Sequence, residues 1–201
     1  SLKVIITGAT GMVGKGVLLE CLDSEKISEV LLISRSTLGI QHPKLKEVLH
    51  PDFYDISSIK DQLAGYDACF FCMGVTSVGL NEEEYTKPTH TLTLHIANIL
   101  HELNPDMTFN YVSGTGTDTS EKGKSMWARV KGKTENDVMK LFPKGFMFRP
   151  GYIQPKKGIK SKTGWYNAIY VVLWPIHGLF KFILPKMVTD TTLLGLAMIN
   201  T

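Results

Sequence analysis

Short apolar runs alternate with helical stretches along most of the chain. The runs are continuous and do not alternate with polar residues, which is typical of parallel strands covered on both faces. The helical stretches between them provide the crossovers that a parallel sheet requires. The pattern therefore predicts an α/β fold with a doubly wound parallel sheet. Strands are expected at 4–6, 30–33, 45–49, 68–73, 108–112 and 146–148, and helices from Val13, towards Leu63, and at 81–103, 126–141 and 190–199.

A glycine-rich turn joins the first predicted strand to the first predicted helix. Its glycines have the spacing G-x-x-G-x-x-G and follow the apolar run 4–6 directly. Glycines allow close backbone approach, and the free N–H groups of a helix N-terminus attract the negative charge of a pyrophosphate. A tight turn without a ligand is the alternative interpretation. The turn predicts a Rossmann-type dinucleotide site formed by Gly8, Thr10, Gly11, Met12, Val13 and Gly14.

The ends of the next three predicted strands extend this cofactor site. The second strand ends at Ser34-Arg35, where an acidic residue would bind the ribose 2′-hydroxyl of NAD and an arginine suits the 2′-phosphate of NADP. We therefore expect NADP(H) to be preferred over NAD(H), with an ordinary solvated arginine as the alternative. The third strand leads to a predicted adenine edge, and the fourth ends where a backbone can approach a ribose. The residues concerned are Ser34, Arg35, Asp52, Phe53, Cys72, Met73 and Gly74.

Composition restricts the class of protein but adds no site. The 201 residues, 43% hydrophobic and 20% charged, suit one globular domain over 1–201. A formal charge of +3 gives no indication of the basic face that nucleic-acid binding needs. The three cysteines lie in or beside apolar runs and predict buried thiols in a reducing compartment, the cytoplasm. We expect no signal peptide and no metal site, and we interpret His90, His95 and His101 as solvated or capping residues.

Seven motifs together point to a family. They are TGATGMVG at 7–14, SR at 34–35, DF at 52–53, CMG at 72–74, YVSGTG at 111–116, WARVKGKTE at 127–135 and RPGYIQP at 149–155. On these motifs the chain resembles the atypical short-chain dehydrogenase/reductases, the NAD(P)H-binding branch with the Tat-interacting-protein-like oxidoreductases and the nitrogen-metabolite-repression regulators. The resemblance implies that Lys131 binds the nicotinamide ribose and that Ser113 lies near the substrate carbonyl. It also implies that Pro150, Gly151 and Tyr152 lie at the nicotinamide end.

One position departs from the family pattern. The family's catalytic set is a serine after the fifth strand and a Tyr-x-x-x-Lys motif on the next helix. Ser113 and Lys131 match this set, but Trp127 occupies the tyrosine position. An indole N–H donates a hydrogen bond but does not titrate usefully, so Trp127 cannot be the general acid. Trp127 either stacks on the nicotinamide or a substrate ring, or packs the helix. The remaining candidate proton donors are Ser113, Thr115, Lys131 and a bound water.

The last fifty residues differ in composition from the rest of the chain. A lysine-bearing loop precedes an uncharged, aromatic stretch that is too short and too interrupted for a transmembrane helix. Residues 152–201 are expected to form a short helical extension on the substrate side, with the apolar stretch as a lid. Peripheral contact of 156–184 with a membrane surface or a partner protein is the alternative. Thr191 or Thr192 is the expected cap of the last helix.

Three functions are consistent with these residues. The first is an NADP(H)-dependent oxidoreductase that transfers a hydride to or from a small carbonyl or alcohol, with an altered catalytic set. The second is a non-catalytic NADP(H)-binding redox sensor or interaction protein, in which Trp127 marks the lost acid chemistry. The third and weakest is a nucleoside-diphosphate-sugar epimerase, for which the segment after the sixth strand leaves little room.

Overall fold

The structure is a computed structural model of the chain, and it describes residues 1–159 and 188–201. Within these ranges six strands form one parallel sheet in the order β3-β2-β1-β4-β5-β6. The doubly wound parallel sheet predicted from the apolar pattern is therefore confirmed. The strands are β1 (Leu2–Thr7), β2 (Ile27–Ser34), β3 (Leu45–Leu49), β4 (Ala68–Phe71), β5 (Thr108–Val112) and β6 (Gly145–Phe148).

Helices cover both faces of this sheet. The longer ones begin and end close to the predicted positions, because their apolar positions recur at helical spacing. They are α1 (Met12–Asp23), a 3₁₀ segment (Ser57–Leu63), α2 (Glu82–Thr86), a π-helical segment (Lys87–Thr91), α3 (Leu92–Leu103), α4 (Met126–Leu141) and α5 (Thr191–Ile199).

Two hydrophobic cores lie on opposite faces of the sheet. Side chains of a strand alternate between faces, so Ile5 joins one core whereas Val4 and Ile6 join the other. The core around Ile5 is closed by α3, α4 and the 3₁₀ segment, and the core around Val4 by α1 and α5. Burial on both faces explains why the strands appear as continuous apolar runs in the sequence.

The region predicted as one helix over 81–103 contains a π-helical turn. Asn81 caps its first turn, and the Asn81 side chain and Glu84 form a reciprocal capping box. The π-helical segment follows immediately and begins with Lys87-Pro88. Proline lacks the N–H that an α-helix needs, and this accounts for the local change of hydrogen-bond pattern.

The end of the described chain differs from expectation in two respects. The cap of α5 is Asp190, whose carboxylate accepts a hydrogen bond from the Leu193 N–H at 2.7 Å, so the threonine caps predicted for this helix are wrong. A second, two-stranded parallel sheet was not predicted; it pairs β7 (Tyr152–Gln154) with β8 (Val188–Asp190). No short-range sequence signal marks a pairing between segments so far apart.

Residues 160–187 lie outside the described residues. They include the apolar stretch predicted as a lid and most of the alternative contact surface over 156–184, so both interpretations stay predictions. Of the loop lysines before this stretch, Lys157 pairs with Glu20 at 2.7 Å and with Asp23 at 2.8 Å. Lys157 therefore ties the loop to α1. Among the described residues, no helix is long and apolar enough to cross a membrane.

Candidate functional site

The glycine turn brings the start of α1 against the end of β4. Gly8 has a φ of +77°, and a Cβ there would lie 2.6 Å from the carbonyl carbon and oxygen of Cys72. A Cβ on Gly14 would lie 2.5 Å from the Gly8 oxygen. Both positions therefore require glycine. Gly11 caps α1 without a side-chain hydrogen bond, so the first-turn N–H groups remain available to a phosphate.

A cleft of about 500 Å³ opens at this edge of the sheet. Parallel strands end together at this edge, which is where doubly wound folds bind nucleotides. Nine residues predicted for the cofactor line the cleft, and five more that were not in the predicted set complete its wall. The nine are Gly8, Thr10, Gly11, Arg35, Asp52, Phe53, Cys72, Met73 and Gly74; the five are Pro51, Tyr54, Val75, Pro88 and Leu92.

Some predicted cofactor residues do not line this cleft. Met12 and Val13 pack against the core around Val4, and Gly14 is buried beneath the turn. The Ser34 hydroxyl donates to the Ser36 carbonyl oxygen at 2.9 Å, so it shapes the end of β2. Met12, Val13 and Gly14 therefore support the turn from the side of the sheet, whereas Ser34 supports the end of β2.

The end of β2 places a cation on the wall of the cleft. Arg35 is exposed and lines the cleft together with Asp52 and Phe53. The Asp52 carboxylate accepts a hydrogen bond from the Tyr54 N–H at 2.8 Å, and Phe53 is buried with its ring edge-on to His50. The wall of the cleft here combines an exposed guanidinium with a nearly buried aromatic side chain.

The second half of the sheet holds the residues that the family resemblance marks as catalytic. Lys131, on α4, donates a hydrogen bond from Nζ to the Ser113 carbonyl oxygen at 2.7 Å. Burial lowers the pKa of Lys131 to about 8, and the negative charge of Glu135 opposes that shift. Lys131 is therefore not a solvated surface lysine, and a modest change of surroundings can alter its protonation near neutral pH.

Ser113 is held from two sides by the same helix. Its hydroxyl donates to Glu135 Oε1 at 2.5 Å, and Glu135 also receives Arg149 Nη2 at 2.5 Å. Glu135 is 1% exposed, which makes it the most deeply buried acidic side chain that this site contains among the described residues. Glu135 and Arg149 were not predicted as site residues; the spacing of Glu135, four residues after Lys131, was the available signal.

Thr115 and Trp127 lie on the exposed side of this region. The Thr115 hydroxyl donates to the Arg149 carbonyl oxygen at 3.0 Å, and the residue is exposed. A Cβ on Gly116 would lie 3.3 Å from Cη2 of Trp127, so the indole packs on the loop next to Thr115. Tyr111 is buried within β5, and Tyr152 lies half-buried in β7.

The cysteines and histidines in the described part of the chain add no second site. Cys69 and Cys72 face opposite cores, and burial raises the pKa of the Cys72 thiol to about 12. His90 pairs with Asp137 at 2.8 Å, so its interpretation as a solvated or capping residue is wrong. His101 lies in the last turn of α3 and packs edge-on against Phe142. In 1–159 and 188–201, no group of three or more His, Cys, Asp or Glu residues could hold a metal ion.

Comparison with known proteins agrees with this geometry. A profile of the NAD dependent epimerase/dehydratase family matches residues 4–125, more than half of the chain. Protein HTATIP2 of Rattus norvegicus is 29% identical over 154 residues, which cover 75% of this chain and 62% of the rat protein. The mitochondrial protein FMP52 of Debaryomyces hansenii is 27% identical over 172 residues, covering 84% of this chain and 74% of that protein. The resemblance to Tat-interacting-protein-like short-chain dehydrogenase/reductases is thereby confirmed.

A solved structure supports the fold. The enzyme WbmH of Bordetella bronchiseptica, determined in complex with NAD⁺, superposes with a TM-score of 0.68 at 16% identity. The superposition covers 100% of this chain and 71% of WbmH. At this identity the likeness concerns the Rossmann fold alone. With its glycine turn, its cleft and the family match over 4–125, this chain belongs to the NAD dependent epimerase/dehydratase family.

Proposed function

We propose that the protein is an NADP(H)-dependent oxidoreductase acting on a small carbonyl or alcohol. The observation that carries this proposal is the cleft in which the glycine turn, Arg35 and the adenine-edge residues Asp52 and Phe53 meet. A Cβ at Gly8 or Gly14 would clash with the backbone of Cys72 or of the turn itself, so glycine permits the tight turn that brings the N-terminus of α1 to the cleft, where a pyrophosphate would bind. The residues present therefore fit a dinucleotide.

Arg35 is the reason for proposing NADP(H) over NAD(H). A guanidinium can bind the 2′-phosphate through charge-assisted and bidentate hydrogen bonds, whereas NAD offers only a hydroxyl there. No described acidic residue lines the wall of the cleft at the end of β2, where one would favour the ribose of NAD. Asp52 lines the cleft from the end of β3, and we assign it to the adenine edge.

When bound, NADP(H) supplies or accepts a hydride at the nicotinamide C4. The chain must then hold the substrate oxygen and deliver or remove its proton. Ser113 is buried and its hydroxyl is engaged with Glu135, whereas Thr115 is exposed. The Thr115 hydroxyl can therefore exchange its bond to the Arg149 carbonyl oxygen for one to a substrate oxygen. Lys131 Nζ, with a pKa of about 8, is suited to exchange the proton. Trp127 forms an aromatic wall beside Thr115.

Steady-state reduction assays test this proposal. NADPH is supplied with a panel of aldehydes, ketones and quinones, and oxidation of the reduced cofactor is followed by absorbance. We expect turnover that falls by about a hundredfold in Thr115→Ala and Lys131→Ala, since positioned acid–base groups contribute 10²–10⁴. Ser113→Ala is the matched comparison, and a smaller loss is expected. Absence of turnover on every substrate would contradict the proposal.

A non-catalytic NADP(H)-binding protein is the second candidate. The observation in its favour is Trp127, which stands where the resemblance places a titrating tyrosine. Tight NADPH binding without turnover on the whole panel would favour this redox sensor or interaction protein. An epimerase-like reaction on a nucleotide sugar is the weaker candidate, and turnover of such a substrate without net change of the cofactor would favour it.

We also propose a reducing compartment, the cytoplasm, for this protein. Cys21, Cys69 and Cys72 are free thiols in the described part of the chain. Burial raises the pKa of each, so the thiols stay protonated and unreactive. Localisation of the full-length protein by microscopy and fractionation tests this placement.

A further inference from the structure

Glu135 is a buried carboxylate that the proposed chemistry does not use. Its two oxygens receive the Ser113 hydroxyl at 2.5 Å, Arg149 Nε at 3.0 and 3.1 Å, and Arg149 Nη2 at 2.5 Å. Removing a charge from water is costly, and apolar residues of similar volume often stabilise a fold equally well or better. Glu135 is 1% exposed, whereas its partner Arg149 keeps 41% of its side chain exposed, so the desolvation cost falls on the carboxylate alone. The burial of this carboxylate is therefore better explained by the geometry it imposes than by the stability it adds.

The segments that Glu135 holds are the ends of two strands in the second half of the sheet. The Ser113 N–H donates to the Phe148 carbonyl oxygen at 2.8 Å, and the Thr115 N–H donates to the Pro150 carbonyl oxygen at 3.0 Å. The Thr115 hydroxyl adds a bond to the Arg149 carbonyl oxygen. Hydrogen bonds thus join the loop after β5 to the turn after β6. Glu135, on α4, binds both segments through Ser113 and Arg149.

The same helix holds the loop after β5 at a second point. Lys131 and Glu135 are four residues apart on α4 and share a face. Lys131 holds the carbonyl oxygen of Ser113, while Glu135 holds its hydroxyl. These contacts therefore fix the position of α4 relative to the ends of β5 and β6. In doubly wound folds the second half of the sheet receives the second nucleotide, here the nicotinamide half.

We infer that Glu135 is a positioning residue for the nicotinamide half of the cofactor. It acts through Ser113 and Arg149, and it sets the position of Thr115 and Lys131 without contacting the cofactor itself. This inference rests on the proposed NADP(H) function. It predicts that loss of the Glu135 charge weakens binding of the nicotinamide half of the cofactor and does not change binding of the adenosine half.

Two ligands distinguish binding of the nicotinamide half of the cofactor from binding of the adenosine half. NADPH contains both, and adenosine 2′,5′-bisphosphate contains only the adenosine half with its 2′-phosphate. Calorimetry is performed with the wild-type protein and Glu135→Gln, which keeps an acceptor for Ser113 but presents an amide to Arg149. We expect Glu135→Gln to bind NADPH about tenfold more weakly, because a small misplacement at a site is costly, and to bind the bisphosphate within twofold of wild type. The fluorescence enhancement of the reduced nicotinamide on binding should also be smaller for Glu135→Gln than for the wild type.

Two further variants complete the design. Glu82→Gln breaks the exposed pair with Arg129, an arginine of α4, and should change neither affinity. Ser113→Ala removes a single contact to Glu135 and should shift NADPH affinity alone, in the same direction and by less. If Glu135→Gln does not fold, Ser113→Ala decides the question by the same comparison.

The outcomes distinguish the inference from the function on which it rests. Wild-type affinity of Glu135→Gln for NADPH, or an equal loss for both ligands, would overturn the positioning role. So would a wild-type protein that binds NADPH no more tightly than the bisphosphate. A wild-type protein that binds neither ligand would overturn the proposed function itself.

Discussion

The Lys131 ammonium donates a hydrogen bond of 2.7 Å to the backbone carbonyl oxygen of Ser113. This contact joins the helix α4 to the end of β5 through a main-chain atom, so it does not depend on which side chain occupies position 113. The lysine is buried enough that its charge is costly, and Glu135 on the next turn partly offsets the cost. The same residue is thus a structural tie and the most readily titrated cation of the site.

Lys131 should give the protein a measurable rise in stability at alkaline pH. Its pKa is about 8 in the folded state, against 10.5 as the ordinary value, because burial disfavours the charged form. The unfolded chain therefore binds a proton that the folded chain has released between these two pH values. Relative to Lys131→Met, the free energy of unfolding of the wild type should rise from about pH 8 to 10.5, by at most on the order of 3 kcal/mol.

Urea denaturation of both proteins at several pH values measures this difference, and groups common to both cancel. Lys133→Met, at an exposed position of the same helix, should follow the wild-type curve. Parallel curves for wild type and Lys131→Met would show that the Lys131 pKa is not lowered by folding.

Gly132 should resist a substitution that helix propensity alone would favour. It lies inside α4, where alanine would gain about 1 kcal/mol over glycine by propensity. A Cβ at this position would lie 1.7 Å from the Asp118 carbonyl oxygen, so the loop after β5 would have to move. We expect Gly132→Ala to lower the free energy of unfolding by about 3 kcal/mol, as overpacking does.

Gly74→Ala is the matched control for Gly132→Ala. A Cβ on Gly74 meets nothing within 4 Å, and its φ lies outside the left-handed region. Its midpoint of thermal or urea unfolding should stay near that of the wild type. Equal midpoints for Gly132→Ala and the wild type would mean that the loop at Asp118 yields without cost.

Most of the sheet could be predicted because its residues are buried on both faces. The predicted bounds of β3, β5 and α4 agree with the structure, since apolar runs and helical spacing are local signals. The lining of the cleft at the strand ends was also largely predictable, because glycines and strand ends have fixed places in a doubly wound fold. Nine of its lining residues were among those expected from the sequence.

The missing parts depend on distant contacts or on side-chain direction. The sequence places Ser113 at the end of β5, but it does not show that the hydroxyl turns towards Glu135. The role of Glu135 becomes visible only once Arg149 is brought beside it from the end of β6. The pairing of β7 with β8 is equally non-local.

Arg35 should discriminate between the two nicotinamide cofactors. It lines the cleft at the end of β2, where a 2′-phosphate would lie. A charge-assisted contact contributes about 1.5–3 kcal/mol, which corresponds to a tenfold or larger change in affinity. We expect Arg35→Ala to weaken NADP binding by at least about tenfold and NAD binding by less than twofold, measured by calorimetry. Lys60→Ala, a cation paired with Glu102 outside the cleft, is the control. Equal losses for both cofactors would show that Arg35 does not bind the 2′-phosphate.

Trp127 offers the sharpest test of whether this chain lost or altered its acid chemistry. The indole lies beside the loop of Thr115, one helical turn before Lys131, where a phenol would be a titratable donor. Trp127→Tyr should therefore raise NADPH-dependent carbonyl reduction by about tenfold or more, since general acids contribute 10²–10⁴ to rates. NADPH affinity should change little. Trp127→Phe removes the same bulk without adding a proton donor, and it should give no gain. If tyrosine and phenylalanine behave alike, the chemistry of this site does not depend on a donor at position 127.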